Sequence, residues 1–289
     1  IERRKMSIHI LGGSGFIGSR ISKYFLSEDY SIKSYSSSDC NLLNKESIED
    51  KLAEISPKEV IIMASSITRL KENSLESMIK NIKMADNIAS FIEKKPVSQF
   101  IFLSTIDVYG INPKLPINEK NPLDPGDYYS MSKVSSEFIL KKICSKKNIP
   151  LLILRLSGIY GENYGGVIDR LINSSRGGKI ILFNEGKDRR DFVYIQDLCR
   201  IMKKGINSRM SSEINVATGR DYSIKEICEF IKPYFKNKIT LEYQEAIGTE
   251  KRIENMEIDI SFFKKKFPKF KFTGIQEGLR LCIEGDKSF

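Results

Sequence analysis

Leu11-Gly12-Gly13-Ser14-Gly15-Phe16-Ile17-Gly18 is the stretch on which the fold of this 289-residue chain turns. Before it lies a short apolar run, Ser7–Leu11. After it comes Phe16–Ser27, with Phe16, Ile17, Ile21, Phe25 and Leu26 at helical spacing. Glycines at 12, 15 and 18 give a G-x-x-G-x-x-G pattern between a strand and a helix. Side chains at those positions would block a tight turn and hold a pyrophosphate away from the backbone. Glycine removes that block, and the helix N-terminus then offers N–H groups to an anion. The strand-turn-helix context separates this stretch from an ordinary tight loop.

Working outward, apolar runs and helix-like segments alternate. Ser31–Tyr35, Val60–Ala64, Phe100–Ser104 and Leu151–Leu156 read as strands; Lys45–Ile55, Leu75–Lys94 and Tyr128–Lys146 read as helices. Such alternation predicts an α/β fold, a doubly wound parallel sheet covered by helices. The second half is less regular. A helix is expected between Gly165–Gly166 and Gly177–Gly178, then a strand at Ile180–Phe183. A helix in Asp221–Tyr234 should start near Ser223, because Glu226 stands at capping-box spacing. Phe262–Phe272 is basic and aromatic and is broken by Pro268.

Apolar residues make up 40% and charged residues 29%, as in a globular protein. No apolar run approaches the roughly 18 residues that a membrane span needs. No signal-peptide pattern follows the basic start, so the cytoplasm is the default location, and Ile1–Lys5 are set aside. The five cysteines, Cys40, Cys144, Cys199, Cys228 and Cys282, form no C-x-x-C pair and read as buried thiols. His9 is the single histidine, which argues against a zinc site or a histidine triad; it reads as part of the first strand. A net charge of +10 suits a phosphorylated small molecule, and no nucleic-acid-binding module is recognisable.

In dinucleotide-binding turns, an acidic residue near the end of the second strand holds the ribose diol. Here that strand ends at Tyr35-Ser36-Ser37-Ser38, with no carboxylate at Ser36. Serines there, with Arg20 just past the glycine turn, favour the 2′-phosphate of NADPH; Asp39 nearby keeps NAD as the alternative.

Tyr129 and Lys133 are spaced Y-x-x-x-K, which places them on one face of a helix. An ammonium beside a phenol favours the phenolate and lowers a pKa that is otherwise near 10. Such a tyrosine can take a proton from a sugar hydroxyl, or give one to a carbonyl, while hydride moves on a nicotinamide. The preceding strand ends at Ser104-Thr105, and a hydroxyl there would emerge at the sheet edge where ligands bind in open α/β folds.

Together these residues resemble the extended short-chain dehydrogenase/reductase family, in its nucleotide-sugar branch, over nearly the whole chain. The stretches Ser104-Thr105-x-x-Val108-Tyr109-Gly110, Arg155-Leu156-Ser157-Gly158-Ile159-Tyr160-Gly161, Arg190-Asp191-Phe192-Val193-Tyr194-Ile195-x-Asp197 and Asn215–Gly219 are similar to its ordered motifs. The resemblance implies a Rossmann fold with catalytic Thr105, Tyr129 and Lys133. For the cofactor it implies Gly12, Gly15, Phe16, Ile17, Gly18 and Arg20, then Ser36, Ser37, Asn41 and Leu42. Ala64, Ser65, Asn81 and Ser104 join that set, with Tyr129 and Lys133. For the substrate it implies Thr105, Asp107 and Ser157, with Arg190 and Arg252 on the diphosphate. Arginine suits two phosphates because its planar fork binds oxygens in pairs.

Two departures matter. Leu11 replaces the family's leading threonine, and Ile106-Asp107 stands where sugar 4,6-dehydratases carry Asp-Glu or a Glu. Water elimination needs a placed acid and base, so the second departure weighs against a dehydratase. The short Ser36–Leu42 loop resembles that of deoxysugar-forming reductases. A 4-ketosugar reductase is therefore expected ahead of a 4-epimerase, with a 4,6-dehydratase and a non-catalytic nucleotide-binding regulator behind both. Residues 6–164 and 187–213 should form the cofactor domain, with 165–186 and 214–289 the substrate domain. The sugar nucleotide is expected in the cleft between them. The resemblance also implies a homodimer through Leu75–Lys94 and Tyr128–Lys146.

Overall fold

Strands without a polar face are satisfied only where a sheet is covered on both sides. The computed structural model describes residues 6–236, 238–245 and 256–285. Along the chain come β1 (Ser7–Leu11), α1 (Phe16–Ser27), β2 (Ser31–Tyr35), α2 (Lys45–Lys51), β3 (Val60–Met63), α3 (Leu75–Lys94), β4 (Gln99–Thr105), α4 (Tyr128–Lys146) and β5 (Leu151–Leu156). Then follow β6 (Gly158–Tyr160), α5 (Val167–Arg176), β7 (Lys179–Phe183), β8 (Arg189–Tyr194), α6 (Ile195–Asn207) and β9 (Ser212–Val216). The described part ends with β10 (Asp221–Ser223), α7 (Ile224–Ile231), β11 (Thr240–Gln244), α8 (Ser261–Lys266) and α9 (Ile275–Glu284).

The main sheet has the order β2-β1-β3-β4-β5-β9. β1 pairs in parallel with β2 and β3, and β3 with β4. Every residue of β3, β4 and β5 is buried. One face of the sheet packs Leu11, Ile61, Met63, Phe100, Phe102 and Ile153 against Ile48, Ile88, Phe91, Ile92 and Leu140 from α2, α3 and α4. Strand order reverses at β1/β3, the position where ligands bind in such sheets.

Local chemistry explains the helix ends. Ser74 and Ser77 cap α3 reciprocally, as Asp127 and Ser130 cap α4 and Ser223 and Glu226 cap α7. Each cap of this kind contributes about 1 kcal/mol. α2 ends at Lys51, earlier than the expected Ile55. Leu52 and Ile55 still reach the core, but from successive turns in which the Ile55 N–H donates to Leu52 O at 3.1 Å. The apolar period therefore outlasted the helix.

Two compact units divide the chain. One gathers the described residues of Ile1–Gly110 with Pro122–Arg155 and Cys199–Ile214; the other gathers Ile111–Asn121, Leu156–Leu198 and those of Asn215–Phe289. These boundaries differ from the expected ones. β8 was expected to return to the large sheet, but it pairs with β6 and β10 in a separate three-stranded sheet. The return begins at Cys199, inside α6. Residues 111–121 join the second unit because Ile117 bridges to Ile258.

All five cysteines are buried thiols. His9 is buried too, hydrogen-bonded to the Tyr35 hydroxyl at 3.1 Å and to Glu59 at 3.0 Å. Among the described residues, no helix is long and apolar enough to cross a membrane.

Candidate active site

The glycine turn is drawn against the loop after β3. Gly12 has φ +91°, and a Cβ there would lie 2.8 Å from the Ser65 nitrogen. At Gly18 a Cβ would lie 2.2 Å from the Gly12 carbonyl oxygen. Neither position accepts a side chain without moving backbone. The N–H groups of Gly12 and Gly13 both donate to Tyr35 O, and the Ala64 N–H donates to Leu11 O at 2.9 Å. Ala64 and Ser65 therefore adjoin the turn. Gly15 is the N-cap of α1 and makes no side-chain cap, so Phe16, Ile17 and Gly18 form an uncapped first turn. This cradle fits the pyrophosphate of a dinucleotide.

The ribose loop departs from its sequence reading. Asp39 accepts from the Ser36 N–H at 2.9 Å and from the Ser36 hydroxyl at 2.6 Å, while Ser38 joins the same hydroxyl at 2.7 Å. These bonds hold the Asp39 carboxyl below the usual range. Ser36, whose hydroxyl was read as free to donate to a 2′-phosphate, is thus engaged by an anion. Ser37 is exposed. The Arg20 guanidinium lies over the Phe16 ring, 5.7 Å from its centroid. Asn41 and Leu42 shape the loop. Asn41 Oδ1 accepts from the Leu43 N–H, and the Leu42 side chain enters the core while its carbonyl accepts from Asn87.

On α4, Lys133 is buried beneath Tyr129. Its Nζ donates to Leu103 O at 2.8 Å and lies 5.7 Å from the Tyr129 ring centroid. Burial pushes the Lys133 ammonium down to about 8, opposed by the charge of Glu137. Of the two strand-end hydroxyls, Ser104 turns inward and donates to Glu137 at 2.5 Å. Thr105 starts the short turn Ile106–Tyr109, and its hydroxyl donates to Asp107 Oδ2 at 3.1 Å. Asn81 is buried; its amide brackets Ile67 and donates to the Ser132 hydroxyl at 3.2 Å, next to Lys133.

Sequence reasoning missed the ionic layer below this face. Arg155 donates to both oxygens of Glu137, at 3.1 and 2.7 Å, to Glu213 at 2.7 Å and to the Tyr109 hydroxyl at 2.7 Å. Glu137 and Arg155 are 0% and 1% exposed. A signal was present: Tyr129, Lys133 and Glu137 are spaced by four, on one helical stripe. Arg69 was missed as well. Its Nη2 meets Asp107 at 3.0 Å and its Nε meets Asp127 at 2.5 Å.

A family model described as "NAD dependent epimerase/dehydratase family" matches residues 8–217. The chain belongs to this family. It is an enzyme of the extended short-chain dehydrogenase/reductase branch. Among curated relatives, a protein of Methanocaldococcus jannaschii named "Putative UDP-glucose 4-epimerase" is 28% identical over 248 residues, 78% of this chain and 81% of the relative. GDP-L-fucose synthase of Dictyostelium discoideum is 25% identical, with 96% and 93% covered. The structure of Thermus thermophilus UDP-glucose 4-epimerase in complex with NAD has the same fold, with TM-score 0.84 at 20% identity and 96% and 98% covered.

Of the expected substrate residues, Thr105 and Asp107 lie in the first unit, and Ser157 and Arg190 in the second, taken by itself. The Ser157 hydroxyl is buried without a partner, as a ligand-binding atom would be. Arg190 donates to Arg189 O at 2.7 Å and faces Asp188 at 3.9 Å. Arg189, not Arg190, makes the strong ion pair, with Asp221 at 2.8 Å. Arg252 lies outside the described residues. Asp191 is buried and accepts from Thr218, Gly219 and Arg220 N–H groups, fixing the Asn215–Gly219 turn; burial nevertheless pushes its carboxyl up to about 6.

Proposed function

We propose that this enzyme reduces a 4-keto sugar carried on a nucleoside diphosphate, with Tyr129 as the proton donor. The Gly12–Gly18 turn would hold a nicotinamide dinucleotide, which would supply the hydride when bound. Tyr129 gives its proton to the carbonyl oxygen, the Thr105 hydroxyl steadies that oxygen, and Lys133 stabilises the phenolate left behind. Products are the secondary alcohol and the oxidised cofactor. The observation that carries this reading is Lys133 Nζ, 5.7 Å from the Tyr129 ring centroid and bonded to Leu103 O in the strand that ends at Thr105. Asp107, at the dehydratase position, is engaged by Arg69 and Thr105, which speaks against a free acid for water elimination. Ser157 and the arginines 190 and 252 support a sugar-diphosphate substrate.

For the cofactor, the Asp39–Ser36 contact favours NADH over the NADPH suggested by the serines. A carboxylate there can accept from a ribose diol and repels a 2′-phosphate. The same contact supports a second reading, a 4-epimerase that keeps its NAD. We also propose the homodimer: Leu75 and Ile79 on α3 and Met131 and Phe138 on α4 are exposed apolar side chains. Phe138→Glu should then halve the mass measured by light scattering; an unchanged mass removes this surface.

The test mixes purified enzyme with NADH or NADPH and a panel of nucleotide-diphospho 4-keto-6-deoxysugars. Ketosugar-dependent loss of reduced-nicotinamide absorbance, abolished by Tyr129→Phe, is expected. No loss with any ketosugar, together with interconversion of UDP-hexoses, would replace the reductase by the epimerase.

A further inference from the structure

Arg69 lies in the loop between β3 and α3, 36 positions before Thr105 and 60 before Tyr129. Its guanidinium spans two carboxylates: Nη2 reaches Asp107 at 3.0 Å and Nε reaches Asp127 at 2.5 Å. Asp107 is the partner of the Thr105 hydroxyl, and Asp127 is the N-cap of the helix that starts at Tyr128. The guanidinium carbon also stands 5.7 Å from the Tyr129 ring centroid, the same distance as Lys133 Nζ. The same loop makes a second tie, since Asn73 Oδ1 accepts from the Tyr129 N–H at 3.1 Å.

We propose that Arg69 is a positioning residue for the proton transfer: it fastens the strand end bearing Thr105 to the helix start bearing Tyr129, and its charge biases the phenol toward its ionised form. This rests on the reading that Tyr129 carries the proton. Three physical points support it. First, only a planar fork with several donors can hold two carboxylates at set angles; a lysine is a point charge. Second, Asp107 Oδ2 accepts from both Arg69 and Thr105. With the cation in place, the Thr105 proton is free to turn toward a substrate oxygen; without it, the carboxylate holds that proton. Third, Asp107 and Asp127 are two negative groups beside the start of α4. Unbalanced, they disfavour a phenolate, and Arg69 offsets them.

The chain has twelve tyrosines and no tryptophan, so tyrosinate absorbance is unobscured. The parent titration minus that of Tyr129→Phe isolates the Tyr129 midpoint in the whole protein. In Arg69→Gln the midpoint should rise by about one pH unit. Adding Asp107→Asn to that variant should recover part of the rise, and Arg69→Lys, which keeps the charge, should raise it less. In the ketosugar assay, Arg69→Lys should still lose turnover because the fork is gone. An unmoved midpoint in a folded Arg69→Gln overturns the inference and leaves Arg69 a surface brace. A parent midpoint at or above the ordinary tyrosine value overturns the Tyr129 reading itself, and the inference with it.

Discussion

Replacing Glu137 by glutamine would test whether the charges beneath the reacting face act as a unit. Glu137 takes two donors from Arg155 and one from Ser104, all within the core. Removing one partner of a buried pair strands the other charge in a poor solvent, at a cost of about 3–5 kcal/mol. Arg155 would keep Tyr109 and Glu213, whose side chain is 35% exposed, and glutamine would keep one acceptor oxygen. The low end, about 3 kcal/mol, is therefore expected. At roughly 2–4 °C per kcal/mol, Tm should fall by about 6–12 °C. Lys133 would be touched too. Glu137 favours its charged form, so the variant's ammonium should deprotonate below about 8, and turnover should fall more at pH 8 than at pH 6. The assay is guanidinium unfolding at pH 7, with m unchanged, beside a pH–rate profile. Pairing Glu137→Leu with Arg155→Leu should cost less than the two single changes summed. A loss under about 1 kcal/mol with an unmoved pH profile would refute the argument.

Lys133→Met should abolish turnover yet stabilise the protein by about 2 kcal/mol at pH 7, the roughly 3 kcal/mol of desolvation relieved less about 1 for the bond to Leu103. Above about pH 8 the folded parent has shed a proton that the unfolded chain still holds, so parent stability rises with pH and the gap should narrow; a gap that widens in urea titrations contradicts this. Gly18→Ala should weaken NAD binding by at least tenfold in calorimetry, because its Cβ meets the Gly12 carbonyl at 2.2 Å; unchanged affinity would remove the cradle. Asp39→Asn should narrow or reverse the preference for NADH over NADPH, and an unaltered ratio would acquit Asp39 of that role.

The parts legible in the sequence were those with local causes. α3 and α4 run between the expected residues because Ser74 and Asp127 cap them chemically. The glycine turn was legible because the backbone leaves no room for a Cβ at Gly12 or Gly18. Arg69, by contrast, finds Asp107 and Asp127 across 38 and 58 positions, and no local pattern announces such a pairing. Arg155 and Glu213 meet across the same separation of 58, within adjoining strands. The path of β8 was misjudged for a like reason: its partners β6 and β10 are short, and three-residue strands carry little periodicity. Ser36 looked open in the sequence because its partner, Asp39, acts by folding back onto a position three residues earlier.

Tyr129, Lys133 and Glu137 share one stripe of one helix, and this fixes what kinds of sequence change the enzyme can survive. A single inserted residue anywhere from 130 to 136 would turn the downstream stripe by about 100° and lift it about 1.5 Å. The phenol would then be parted from its ammonium, or the ammonium from its carboxylate, though no chemical group had been lost. Length variation among descendants of this gene should accordingly collect in the loops before and after the helix, and a frame of nineteen residues from Tyr128 to Lys146 should keep its count.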